Sequence, residues 1–188
     1  DEYRAERWDI QQSIRDAQKK DAHFKTVNKN TCPFCPYMAL CSGGIDIERD
    51  ENRVDLTGDD AESAPLPIGF EFPFYGGTFT QLRVCTNGFL ALEPGEPAYA
   101  NVALPSSLAP GRLVAALWDD LTFGFGVRRA YAWTDGARCV VTWVAVPRWA
   151  DPLSNFTFQA VLEPNGEIRF QYRALAGELA SCTIGLQD

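Results

Sequence analysis

Apolar and polar residues follow two different rhythms in this 188-residue chain. From Tyr3 through Trp8, Ile10, Ile14 and Ala17 the apolar positions form an imperfect helical stripe. The run Arg4 to Lys20 has no Gly or Pro, so the pattern predicts a helix over 2–22. Its other faces are polar, so it must lie on something. Asn28 and Asn30 mark the exit into a loop. From Ile45 onward, short apolar and β-branched runs alternate with Gly, Pro, Asn and Asp. They predict strands near 53–57, 66–74, 80–85, 88–92, 112–118, 127–133, 138–146, 155–163, 166–173 and 181–187. Gly76-Gly77, Asn87-Gly88, Asp135-Gly136 and Asn165-Gly166 punctuate these runs, and such pairs suit the positive φ angles of tight hairpins. Alternation is clean in 168–172, with Ile168, Phe170 and Tyr172 on one face and Arg169 and Gln171 on the other. Many short strands without a helical period predict a mainly β fold, a two-layer antiparallel β-sandwich over 44–188. A helix and cysteine-bearing loop precede it over 1–43, with Ser42-Gly43-Gly44 reading as a linker.

Composition refines this division. The chain is 46% hydrophobic and 12% aromatic, ample for a core. No apolar run approaches the roughly 20 residues a bilayer helix needs. The charged start Asp1-Glu2-Tyr3-Arg4 reads as neither a signal peptide nor an initiator, so the chain is expected to be an internal fragment or a processed product. Residues 1–43 hold 6 acids and 7 bases, whereas 44–188 hold 19 acids and 10 bases. A part with net charge −9 repels phosphate backbones, so nucleic acid is a poor partner for it.

The order Leu66-Pro67-Ile68-Gly69-Phe70-Glu71-Phe72-Pro73-Phe74-Tyr75-Gly76-Gly77, Val84-Cys85-Thr86-Asn87-Gly88-Phe89-Leu90, Leu113-Val114-Ala115-Ala116-Leu117-Trp118-Asp119-Asp120 and Gly166-Glu167-Ile168-Arg169-Phe170-Gln171-Tyr172 resembles the β-sandwich accessory modules of secreted bacterial peptidases and surface proteins. These modules are distantly similar to the nidogen-like extracellular domain. The resemblance implies an extracellular or cell-surface, non-catalytic module and implies no ligand. Residues 1–43, with Cys32, Cys35 and Cys41 at C-x2-C-x5-C spacing, resemble the C-terminal iron–sulphur tail of RecB-like nucleases of the PD-(D/E)XK class. The nuclease core and the fourth cysteine of that family are missing from this match, so no nuclease activity carries over.

Candidate chemistry is sparse. His23 is the only histidine and lies outside the sandwich, so a Ser-His-Asp or Cys-His set within the β part is excluded. Cys32, Cys35 and Cys41 with His23 would make a zinc set, or the three thiols an incomplete iron–sulphur site; the plainer readings are a Cys32–Cys35 disulfide or packed thiols. Asp59, Asp60, Asp119 and Asp120, with Glu62 nearby, supply oxygens of the kind calcium takes; capped turns are the plainer reading. Cys85 and Cys182 are a candidate disulfide, against buried free thiols. Trp118 and Trp143 sit in apolar runs and are expected in the core. Trp149, between Pro147 and Pro152, is the candidate contact for a protein or glycan surface, with packing at the end of the sandwich as the alternative. Three functions are carried forward: a non-catalytic binding module, a structural element that self-associates, and a metal- or iron–sulphur-binding nuclease remnant acting on nucleic acid.

Overall fold

The computed structural model describes residues 47–124 and 129–188. The predicted helix over 2–22, His23, and Cys32, Cys35 and Cys41 lie outside the described residues, as does the start of the strand predicted at 127. A short 3-10 turn at Asp50–Asn52 precedes the strands. The described residues then form β1 (Leu66–Phe74), β2 (Gly77–Val84), β3 (Phe89–Ala91), β4 (Leu113–Trp118), β5 (Arg129–Thr134), β6 (Cys139–Arg148), β7 (Asp151–Leu162), β8 (Ile168–Ala176) and β9 (Thr183–Gln187). All pairings are antiparallel, in one sheet of order β1-β2-β3-β4-β9 and a second of order β5-β6-β7-β8. This is the expected two-layer sandwich.

Period-two alternation builds the core. Phe72, Leu82, Val84, Leu90, Val114 and Ala116 of the first sheet meet Val141, Trp143, Phe156, Phe158 and Ala160 of the second. Trp143 stacks on Phe158 with ring centroids 5.0 Å apart. Two polar ring atoms in this apolar space reach across to the facing sheet, as buried polar groups must. Trp143 Nε1 donates to Cys85 O at 2.9 Å, and Tyr172 Oη donates to Ala116 O at 2.7 Å.

The turn signals operate as read. Gly136 and Gly166 hold φ of +81° and +87° at the β5–β6 and β7–β8 turns. The strand predicted over 53–57 does not form. Val54 and Leu56 are buried there, but only Arg53 makes an isolated bridge, to Tyr131. The apolar residues of this stretch fill space beside β5 without extending its ladder.

The loop over 93–111 covers the outer face of the first sheet. Ala98, Val102, Leu104 and Ala109 pack on Cys85, Phe89, Ala91, Leu113, Ala115 and Trp118. Trp118 is therefore buried as expected, but under a loop rather than between the sheets, and its Nε1 donates to Ala98 O at 2.8 Å. A register irregularity between Ala115 and Trp118 produces this: Ala116 and Leu117 both face the inter-sheet core, and Trp118 turns outward.

Candidate functional site at the β6–β7 end

Three irregular segments meet at one end of the sandwich. Asp59 bridges Thr122, Leu121 bridges Arg148, and Trp149 N donates to Asp120 O at 2.9 Å. The 58–60 stretch, the 119–123 stretch and the β6–β7 hairpin thus lie side by side. Asn87 knits them together. It is completely buried. Its Nδ2 donates to Asp60 Oδ1 at 2.8 Å, its Oδ1 accepts from Leu121 N at 3.0 Å, and its backbone oxygen accepts from Asp119 N. Gly88 follows at φ +80°, and a Cβ there would lie 2.1 Å from Leu117 O. Only glycine fits, so the Asn-Gly pair sets this end of the molecule as well as turning the chain.

Three of the four aspartates expected to gather do so. Oxygens of Asp59, Asp60 and Asp120 lie within 4.8 Å of one another. Asp60 sits in the left-handed region at φ 46°, which Asp tolerates better than most side chains. Desolvation, then the charges of Asp59, Asp60 and Asp119, hold the Asp120 carboxyl above the ordinary aspartate range, with Arg148 opposing. The trio can offer three oxygens to a hard cation, whereas calcium takes 6–8. Exposed acidic groups of this kind are common without an ion.

Asp119 and Glu62 go elsewhere. Asp119 is buried against Arg148, with Nε 3.3 Å from Oδ2 and Nη2 3.4 Å from Oδ1. Ser181 Oγ donates to Asp119 Oδ2 and accepts from Arg148 Nη2, both at 2.7 Å. This hydroxyl–carboxylate pair contains no histidine, and the hydroxyl is held between the guanidinium and the carboxylate. It locks the β8–β9 loop onto the hairpin. Glu62 pairs with Arg83 at 3.5 Å, and desolvation first of all raises its carboxyl above the usual range.

The hairpin tip is held firmly and presents apolar surface. Arg148 N donates to Ser154 Oγ at 2.8 Å, Ser154 Oγ donates to Asp151 O at 2.6 Å, and Leu153 N donates to Asp151 Oδ1 at 3.2 Å. On this frame Trp149 is 49% exposed and Leu153 is 93% exposed. Trp149 thus keeps about half of its surface open to solvent. Leu153 was missed by sequence reading, because a lone leucine between Pro152 and Ser154 carries no periodic signal.

The candidate Cys85–Cys182 disulfide does not form. Cys85, Cys139 and Cys182 are free. Cys85 faces the loop-covered outer side of the first sheet, whereas Cys182 packs against the inter-sheet core, so the two thiols belong to different apolar layers. Burial pushes the Cys85 and Cys139 thiols up to about 12.

This architecture defines the class: an antiparallel two-sheet sandwich whose layers are tied together by the Trp143 indole N–H and the Tyr172 hydroxyl. A family model described as NIDO related matches residues 41–188, and the chain belongs to that nidogen-related family. The match bears on the nidogen-like resemblance; neither the bacterial peptidase modules nor the RecB-like tail gains support from it. Nidogen-related domains are modules of extracellular type and are generally non-enzymatic. No solved structure matches the chain significantly. Among the described residues no helix is long and apolar enough to cross a membrane.

Proposed function

We propose that this chain is a non-catalytic, extracellular binding module that grips a protein partner through the β6–β7 hairpin tip. The observation that carries the reading is the pairing of a half-exposed Trp149 with a nearly fully exposed Leu153 on one hydrogen-bonded hairpin. Tryptophan is among the side chains that dominate binding energy at protein interfaces, and a pre-ordered frame reduces the entropy lost on docking. The neighbouring carboxylates of Asp59, Asp60 and Asp120 favour a partner that brings basic groups to the rim of the contact. An aliphatic Leu153 at the tip suits a protein better than a sugar, which stacks on aromatic faces.

The test is a binding screen of the full chain against immobilised extracellular proteins and a glycan array. Trp149→Ala and Leu153→Asp are run in parallel, with circular dichroism to check the fold. Protein ligands that lose affinity with both variants support the reading. Glycan ligands alone, or protein binding indifferent to both variants, contradict it.

A further inference from the structure

The 93–111 loop, which packs on the outer face of the first sheet, leaves a groove of about 310 Å³ between its stretches 93–98 and 108–111. Pockets that take whole small molecules run from roughly 300 to 1,000 Å³, so a groove of this size suits a side chain of a larger partner. Ala91, Ala98 and Ala109 belong to the apolar layer on the sheet and form its base. Pro94 and Leu108 line it as well, and Leu108 is 80% exposed. Both stretches are fixed from below. Trp118 Nε1 donates to Ala98 O at 2.8 Å, while the Gln187 amide accepts from Ser106 N at 2.7 Å and donates to Ser106 O at 2.8 Å. The groove therefore has its shape before anything enters it, which lowers the entropy lost on binding.

Its charge is one-sided. Glu93 and Glu96 are both exposed and both line the groove. No cation pairs with Glu96 among the described residues. Glu93 lies 3.8 Å from Arg112, a guanidinium it shares with Asp188. One cation thus stands against three carboxylates. Burial raises the Glu62 carboxyl against the pull of Arg83, and the charge of Glu96 adds to the rise, so its neighbours feel Glu96 as an anion without a partner. An apolar base beside such a carboxylate suits a side chain with an apolar stem and a cationic head. An anion would be repelled there, and a purely aliphatic group would take water from Glu96 and return no bond to it.

We infer that the groove between 93–98 and 108–111 receives a lysine or arginine side chain of a protein partner, its methylene stem along Ala98, Ala109 and Leu108 and its cationic head at Glu96 and Glu93. The groove shares no residue with the β6–β7 hairpin. The contact is therefore separate from the one at the hairpin tip and does not depend on it.

The test is an amide NMR titration of the full chain at low salt with a blocked alanine pentapeptide carrying arginine at its centre, beside the same peptide with glutamine there. The arginine peptide should move the Gly95, Ala98 and Gly111 amides saturably at millimolar concentration, and the glutamine peptide should not. Glu93→Gln with Glu96→Gln, both exposed and safe for the fold, should weaken the arginine peptide by about threefold or more, as expected for losing two exposed charge contacts. Trp149→Ala with Leu153→Asp should leave this titration unchanged, so failure here and failure at the hairpin are told apart. Equal shifts from both peptides, shifts centred instead on Asp59, Asp60 and Asp120, or an affinity indifferent to the glutamate variants would overturn the inference.

Discussion

Asn87 carries more of this end of the molecule than any other side chain. Truncation to alanine removes the donor to Asp60 Oδ1 and one of the two acceptors of Leu121 N, which keeps Asp119 O at 2.8 Å. Asn87→Ala should cost about 1–3 kcal/mol, read from urea denaturation; a loss below about 0.5 kcal/mol would deny it this role. Asp120 is the opposite case, a residue whose charge is unwelcome. Its carboxyl titrates higher in the folded chain than in the unfolded one, so the folded state holds the proton more tightly. Stability should therefore fall as pH rises through the acidic range, up to the raised folded value. Asp120→Asn should stabilise the fold at pH 7 by under about 1 kcal/mol, because solvent screens a partly exposed group, and so raise the melting temperature. The gain should vanish below the ordinary aspartate range. An unchanged or lower melting temperature at pH 7 would refute the repulsion. The Asn-Gly pair was legible as a turn, since its φ requirement is local. The bonds Asn87 makes to Asp60 and Leu121 were not, because they join residues 27 and 34 positions away.

At the scale of elements, the hairpin of β6 and β7 is clamped by a buried ion pair. Arg148→Ala would strand Asp119, whose side chain is 6% exposed, with no cation and only Ser181 Oγ and Asp120 N as donors. Removing one partner of such a pair typically costs about 3–5 kcal/mol. Here Arg148 retains some exposure, so the expected loss is about 2–4 kcal/mol in a thermal melt. Asp119→Asn, which keeps a hydrogen-bonding amide, should cost less; equal losses would argue against the ionic clamp. Strand β1 was predicted at its observed bounds, Leu66–Phe74, because alternation there is framed by a clear turn. The hairpin was predicted too short at both strands. Pro147 and Pro152 read as punctuation, yet β6 runs to Arg148 and β7 starts at Asp151. Register shifts near Val146 and Arg148 accommodate them, as bulges do for proline. The stretch 53–57 failed in the other direction. Its apolar residues answer a burial requirement at the sheet edge, and periodicity alone does not separate burial from pairing.

For the whole molecule, the sandwich places the Cys85 and Cys139 thiols out of reach and leaves Cys182 partly exposed. With Cys85 and Cys139 raised to about 12, almost no thiolate forms at pH 8. Peptide-mapped alkylation should leave both unmodified in the native chain and modify both in denaturant; rapid native labelling would contradict the packing. The partition into two layers was readable because it depends only on period two and tight turns. The proposed contact surface was half readable. Trp149 stood out as an aromatic between prolines, whereas the exposure of Leu153 and the convergence of Asp59, Asp60 and Asp120 depend on how distant segments dock. The most direct test of the binding reading is the affinity of the full chain for a protein ligand from the extracellular screen, measured beside the double variant Trp149→Ala/Leu153→Asp at matched folded content. The account predicts a loss of tenfold or more, about 1.4 kcal/mol or above, as expected for removing a central anchor. An affinity unchanged by the double variant would contradict it.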